Sequence, residues 1–134
     1  MDTSALVALA KGEAGADLLK EALLPGTGLI PAPALTEFVR VMTERGRIAN
    51  QAAANSMRII LEFGNDVIAY TAEDAKIASE ANTAYGLGNG RGGTLNLLDL
   101  MVYAIAKRTG LPILCTGRDF LATNVDIHPA SRPD

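Results

Sequence analysis

The acidic residue Asp99 occupies the position in this sequence that most strongly suggests chemistry. Apolar residues recur at three- and four-residue spacing through residues 95–108, which predicts a helix whose core face includes Val102 and Tyr103. Asp99 falls within that apolar stripe, and the same helix supplies no cation on that face. Burial of an unpaired carboxylate is very costly, so such groups are paired or bind metal. The pattern therefore favours a functional role for Asp99.

Four further acids are candidates, and three of them have a clear structural alternative. Asp2 precedes a predicted helix, where aspartate also serves as an N-cap. Glu37 lies beside the apolar stripe of its helix, where it could equally support the positive helix end or pair with Arg40. Asp119 follows an apolar strand, where a turn aspartate is also expected. Asp126, near the C-terminus, is a weaker candidate for the same cluster.

The elements that must position these acids are helices separated by short apolar runs. Helices are predicted over residues 3–10, 16–24, 34–45, 50–63, 71–85 and 95–108. Strands are predicted over residues 29–30, 67–70, 112–116 and 125–127. Helix ends and a turn are expected at Pro25, Gly46 and Gly64, and Thr71 is expected to cap its helix, with Asp74 on the surface.

Short apolar strands that alternate with helices predict an α/β fold, with a parallel sheet covered by helices on both faces. In such folds, ligands bind outside the carboxyl ends of the strands. Asp119 follows a predicted strand, and Asp2 lies at the carboxyl end of another if Met1 ends a strand, so this rule gives the acids a place to meet.

The composition is that of one globular domain spanning residues 1–134, with 49% hydrophobic and 20% charged residues. The formal net charge of −3 argues mildly against nucleic-acid binding, yet a site that holds divalent cations must itself be acidic. No apolar run approaches the ~20 residues of a membrane span, and no secretory signal is visible. The lone Cys115 fits a reducing compartment, so a cytoplasmic protein without membrane contact is expected.

Taken in order, the segments that carry these acids resemble a known family. They are Asp2-Thr3-Ser4-Ala5, a glutamate in the second major helix, LNLLDLMVYA from Leu95 to Ala104, and LCTGRDF from Leu114 to Phe120. This ordered set is similar to PIN-domain proteins, and specifically to the VapC toxins of bacterial toxin–antitoxin pairs. The resemblance covers essentially the whole chain.

The resemblance implies a three-layer α/β/α sandwich with a mainly parallel sheet. It also implies a Mg²⁺- or Mn²⁺-dependent endoribonuclease that cleaves RNA, forms a homodimer and is neutralised by a cognate VapB-type antitoxin. The family's acidic residues correspond here to Asp2, Glu37, Asp99 and Asp119. Its small hydroxyl residue after the first acid corresponds to Ser4, and its polar residue before the third acid corresponds to Asn96.

Metal chemistry is consistent with that set of residues. Mg²⁺ takes oxygen ligands, usually a few carboxylates with waters and substrate phosphate. A bound metal can lower the pKa of water to make a nucleophile, so no histidine or lysine base is required. The single histidine, His128, is accordingly expected on the surface.

Two positions depart from the family pattern. Only Met1 precedes Asp2, where family members have several apolar residues, so the central strand is expected to be short. Arg118 precedes Asp119, where a smaller or amide residue is usual. Its guanidinium could pair with a neighbouring carboxylate and weaken metal binding, or it could hold an RNA phosphate.

The glycine-rich loop, Gly86 to Gly93, contains a G-x-G-x-x-G match that is not a dinucleotide site. Such a site needs a strand before the motif, and here a helix precedes it. Arg91 projects from the loop just before the helix that bears Asp99. It is a candidate contact for RNA phosphate, and a solvated loop arginine is an equally good interpretation. Arg45 adds to the positive charge of the middle helices.

Two other functions compete with the nuclease. One is a catalytically silent PIN-like module that binds RNA or a protein without cutting. The other is a receiver-like phosphoryl-transfer domain, which would need a second acid beside Asp2 and a lysine after the strand that contains Cys115. The sequence supplies neither, so this second alternative is disfavoured.

Overall fold

The computed structural model describes residues 1–24, 26, 28–44, 47–62 and 65–131, and helices dominate this part of the chain. Its helices are α1 Thr3–Lys11, α2 Ala16–Leu23, α3 Ala32–Thr43, α4 Asn50–Glu62, α5 Ala72–Tyr85 and α6 Leu97–Thr109, and its paired strands are β1 Leu29–Pro31 and β2 Asp66–Ile68. The six predicted helices are confirmed, with ends shifted by one or two residues. The predicted signals at Pro25, Gly46 and Gly64, and the basic residue Arg45, lie outside the described residues.

Extended segments form a sheet in which the N-terminus is central. β1 pairs with β2 in parallel, with Leu29 opposite Asp66. On the other side of β1, the amino group of Met1 donates a hydrogen bond to the Leu29 carbonyl oxygen at 2.6 Å. The Asp2 N–H then donates to the Leu114 carbonyl oxygen at 2.9 Å. Met1 and Asp2 thereby lie between β1 and the segment that contains Leu114.

The predicted strands over residues 112–116 and 125–127 are wrong in extent. They reduce to one parallel bridge between Ile113 and Ile127. The strand pairing is short because two side-chain hydroxyls accept hydrogen bonds from backbone N–H groups that a longer strand would use. Ser131 Oγ accepts from Cys115 N–H at 3.0 Å, and Ser4 Oγ accepts from Thr116 N–H at 3.1 Å.

Buried side chains form two hydrophobic clusters on opposite faces of the sheet. Ile113 and Cys115 belong to the larger cluster, which is built mainly from α3, α4, α5 and α6. Leu114 belongs to the smaller cluster, with residues of α1 and α2. Because successive residues of an extended segment point to opposite faces, the chain forms a three-layer α/β/α sandwich. None of the helices in the described ranges is long and apolar enough to cross a membrane.

Asp74 is fully buried, which corrects the expectation that it lies on the surface. Thr71 caps α5 as predicted, and Asp74 completes a capping box with it. The carboxylate of Asp74 also accepts hydrogen bonds from Arg108 Nε at 2.6 Å and Nη2 at 3.0 Å. Burial by itself would raise the pKa of Asp74, but the hydrogen bonds from Arg108 and Thr71 outweigh it and hold this pKa below its ordinary value.

Candidate active site

Asp2 follows the extended Met1 and is the N-cap of α1. Its Oδ2 accepts hydrogen bonds from the Ser4 N–H at 3.1 Å and from Ser4 Oγ at 2.7 Å. The same hydroxyl accepts from Thr116 N–H, at the start of the loop that carries Asp119. Ser4 therefore orients the Asp2 carboxylate and ties it to that loop. The capping role occupies only one oxygen of Asp2, so it is compatible with a second role for the other.

Glu37 lies on α3 and is held by a threonine of α1. Thr3 Oγ1 donates to Glu37 Oε2 at 2.6 Å, and Thr3 is buried. No ion pair joins Glu37 to Arg40, although both residues are described. The sequence does not predict the contact between Thr3 and Glu37, because the two residues are 34 positions apart. One feature of the sequence hints at this contact: Thr3 lies in the first turn of the helix that follows Asp2, and that helix must face the acids.

Asp99 lies in the first turn of α6 and is 7% exposed. Asn96 caps the helix, and Asp99 Oδ2 accepts from the Asn96 N–H at 3.0 Å. The prediction that the helix begins at Leu95 is wrong, because the backbone of Leu95 is bonded to the glycine-rich loop instead. Leu95 is nevertheless buried, so the predicted apolar surroundings of Asp99 are present.

Asp119 lies in the loop that follows the Ile113–Cys115 segment, and its side chain is exposed. Its carbonyl oxygen accepts a hydrogen bond from Thr94 Oγ1 at 2.6 Å. The neighbouring Arg118 is exposed and forms no ion pair with any described residue. The pairing of Arg118 with a carboxylate, one of the two alternatives for this residue, is therefore absent from this structure. Arg91 is likewise exposed.

The four acids form one group of interacting charges. The pKa of Asp99 is raised to about 7: burial is the largest cause, the hydrogen bond from the Asn96 N–H opposes it, and the negative charges of three other acids add to it. Those three acids are Asp2, Asp119 and Glu37. Asp126 is exposed and is not among the charges that shift this pKa, so the structure does not bring it into the group.

The donor set suits a hard divalent cation bound partly through water. Among the described residues, no three His, Cys, Asp or Glu side chains are gathered closely enough to coordinate one ion directly. Mg²⁺ commonly takes only one or two protein carboxylates and keeps several waters, so a looser group of acids still fits it. A cation would also relieve the repulsion that raises the pKa of Asp99. Asp2, Glu37 and Asp99 each use one oxygen in a local hydrogen bond, which leaves the second oxygen for a ligand.

Comparisons with known proteins place this arrangement in a family. The PIN domain family model matches residues 1–125. The chain is 40% identical over 131 residues to Ribonuclease VapC42 of Mycobacterium tuberculosis, with 97% of each chain covered. It is 36% identical over 129 residues to Ribonuclease VapC36 of the same organism, covering 94% of this chain and 90% of that relative. The crystal structure of M. tuberculosis VapC20, described as a sarcin-ricin loop cleaving toxin, matches with a TM-score of 0.70 and 22% identity, covering 92% of this chain and 93% of that one.

Proposed function

Because this chain belongs to the PIN-domain family, and within it to the VapC ribonucleases, we propose that it hydrolyses RNA phosphodiester bonds with Mg²⁺ or Mn²⁺ bound at its four acids. The observation that supports this site best is the charge interaction that joins Asp2, Glu37 and Asp119 to the buried Asp99. Acids that repel one another around a buried carboxylate are costly without a cation, and structures retain such groups where a metal or a substrate uses them.

The oxygens of these four acids would hold the cation. When bound, such an ion supplies an activated water and stabilises the attacking and leaving oxygens of phosphodiester hydrolysis. The chain's own contribution is orientation: Ser4 fixes Asp2, Thr3 fixes Glu37, and the Asn96 N–H fixes Asp99. Each of these contacts uses one carboxylate oxygen and leaves the other oxygen without a bond to that partner.

The exposed arginines Arg91 and Arg118 supply the positive charge that an acidic site needs in order to receive RNA. Arg91 projects from the glycine-rich loop before α6, and Arg118 is adjacent to Asp119. Neither forms an ion pair with the described residues, so both guanidinium groups can bind phosphate oxygens. We propose that they hold the backbone of the substrate on either side of the metal.

The test of the proposed function is RNA cleavage under control of the metal. Purified protein is incubated with a panel of structured RNAs after chelator treatment, and then with Mg²⁺ or Mn²⁺ added back. We expect cleavage to disappear with chelator and to return with either ion. Cleavage that survives chelation contradicts the metal site. Binding of RNA without cleavage at any metal concentration supports the silent PIN-like module instead.

We also propose a cognate VapB-type antitoxin as the neutralising partner, and a homodimer as the active assembly. Membership of the VapC family supports both, since the resemblance to VapC toxins implies an antitoxin and a homodimer. Expression of the chain alone is expected to arrest growth, and co-expression of the antitoxin to relieve the arrest. A chain that arrests growth equally with or without that antitoxin would contradict the pairing.

Metal binding at this site should depend strongly on pH. The metal requires the charged form of Asp99, whose pKa is raised to about 7 in the fold, so a proton must leave before the ion binds. We expect Mn²⁺ affinity to fall by up to about tenfold for each pH unit below 7, and to level off above 7. Isothermal titration calorimetry across this range measures the slope.

The stability of the metal-free protein should show the opposite trend. The folded state binds the Asp99 proton more tightly than the unfolded state, because the folded pKa of about 7 lies above the ordinary aspartate pKa of 3.8. Unfolding free energy is therefore expected to be highest near pH 4, to decrease toward pH 7 and to change little above it, as far as Asp99 contributes. Metal affinity that is flat from pH 5.5 to 8 would contradict this account of Asp99.

A further inference from the structure

The carboxylate of Asp119 is held differently from the other three acids. Asp2, Glu37 and Asp99 each accept a hydrogen bond on a carboxylate oxygen from a neighbouring hydroxyl or backbone N–H. Asp119 is exposed, and its carboxylate accepts no such bond from the residues that the structure describes. The place of this side chain relative to the other acids is therefore set by its backbone.

One side-chain hydrogen bond anchors that backbone across the site. Thr94 Oγ1 donates to the carbonyl oxygen of Asp119 at 2.6 Å, between residues that are 25 positions apart. Thr94 lies two residues before Asn96, the N-cap of α6, and five residues before Asp99. A single hydroxyl thus joins the loop of the fourth acid to the helix start that carries the third.

The glycine-rich loop holds Thr94 in place. On one side of Thr94, the Leu95 N–H donates to the Tyr85 carbonyl oxygen at 2.9 Å. On the other side, the Gly93 N–H donates to Asn89 Oδ1 at 3.2 Å. A Cβ at Gly93 would collide with the backbone of Tyr85, so the glycine allows this close approach. The loop therefore presents the Thr94 hydroxyl from a backbone that is fixed on both sides.

From these contacts we propose that Thr94 is a positioning residue for the metal-dependent reaction, whose hydroxyl sets the separation of Asp119 and Asp99 so that both serve one divalent cation. This inference rests on the proposed function. Thr94 itself touches neither metal nor substrate in this account. It acts only through the backbone of Asp119.

The test compares three variants with the wild type. Thr94→Val removes the hydroxyl at nearly constant shape, and Thr94→Ser retains it. Thr83→Val is the matched control, because Thr83 is an exposed threonine of α5 whose hydroxyl bonds to no described residue. We expect Thr94→Val to weaken Mn²⁺ binding, measured by calorimetry, about five- to tenfold, as the loss of one hydrogen bond allows. Thr94→Ser and Thr83→Val are expected to stay within about twofold of the wild type.

A second readout needs no metal. Amide hydrogen exchange at Leu121, whose N–H donates to the Arg118 carbonyl oxygen at 3.0 Å, reports on the order of the Asp119 loop. We expect exchange about fivefold faster in Thr94→Val and wild-type exchange in Thr94→Ser. A general loss of structure would instead speed exchange throughout α5 and α6 and lower the thermal midpoint.

The outcomes separate this inference from the function on which it rests. If wild type and Thr94→Val bind Mn²⁺ equally well, the role of Thr94 is overturned and the metal site stands. If the wild type has no carboxylate-dependent Mn²⁺ site, the proposed function is overturned and the positioning role falls with it. Faster exchange confined to the Asp119 loop would then show that the Thr94 contact orders the loop for a structural reason only.

Discussion

Asp99→Asn is expected to reduce metal-dependent RNA cleavage by on the order of 10²- to 10³-fold, with the fold intact. Asp99 is the acid on which the charges of Asp2, Glu37 and Asp119 converge, so its loss removes a buried anionic ligand that interacts with all three. The asparagine side chain has nearly the same shape and keeps an oxygen to accept from the Asn96 N–H. The capping box of α6 should therefore survive.

The same substitution should stabilise the metal-free protein above pH 7. Above pH 7 the charged Asp99 lies beside three other acids, and this lowers the free energy of unfolding of the wild type because the pKa of Asp99 is raised to about 7 in the fold. The neutral amide avoids that repulsion, so we expect a higher thermal midpoint at pH 8 and little difference near pH 4. A variant that loses cleavage but gains stability identifies Asp99 as a functional acid. Substitution of a purely structural residue would lower both cleavage and stability.

Asp66→Asn is the matched control for this prediction. Asp66 is an exposed aspartate at the first residue of β2, and its charge is not among those that raise the pKa of Asp99. Its replacement changes the net charge by the same amount and should leave cleavage and Mn²⁺ affinity unchanged. Wild-type cleavage by Asp99→Asn would contradict the four-acid site, and equal losses in both variants would point to net charge instead.

Patterns within one element could be predicted from the sequence. Helical spacing placed Asp99 in an apolar stripe, and the structure finds it 7% exposed. Thr71 was recognised as a helix cap, and the capping box at α5 contains it. Strand-end positions placed Asp2 and Asp119 at one edge of the sheet. Each of these features depends on residues a few positions apart, which periodicity and capping preferences describe well.

Contacts between distant elements could not be predicted in this way. Thr3 reaches Glu37 across 34 residues, and Ser4 reaches Thr116 across 112. Nothing in the local sequence of one partner specifies the other, because the contact depends on how the layers pack. The short strand ladder at Ile113 has the same origin. The Ser131 hydroxyl accepts a hydrogen bond from the Cys115 N–H, which a longer strand would have used for pairing. The supporting residues of the site were therefore less visible than the acids themselves.

Asp74→Ala is expected to lower the free energy of unfolding by about 3 kcal/mol at pH 7, the second large effect. Asp74 is completely buried, and its carboxylate receives two hydrogen bonds from Arg108 and one from the Thr71 N–H. The alanine variant loses the half of the α5 capping box in which the Asp74 carboxylate accepts from the Thr71 N–H, and it leaves the Arg108 guanidinium without its carboxylate partner. Because Arg108 also bonds the Ala69 carbonyl oxygen, the link between β2 and α6 should loosen as well.

Urea denaturation measures this loss, and a surface pair supplies the comparison. Arg58→Ala breaks the ion pair between Arg58 and Glu62, whose side chains are 63% and 60% exposed, and should cost less than about 1 kcal/mol. A similar cost for both variants would show that burial adds nothing to the Asp74–Arg108 pair. A double-mutant cycle with Arg108→Ala isolates the coupling between the two side chains.

The dependence on pH identifies the charge of Asp74 as the source of the stability. The folded pKa of Asp74 lies below the ordinary aspartate pKa of 3.8, so its contribution is present in full above 3.8 and is lost as the pH falls through the lowered pKa. The difference between wild type and Asp74→Ala should therefore be largest at neutral pH and shrink toward pH 3. A difference that stays constant on acidification would assign the effect to packing around the side chain, and the ion pair would then have no net role in holding α6 against α5.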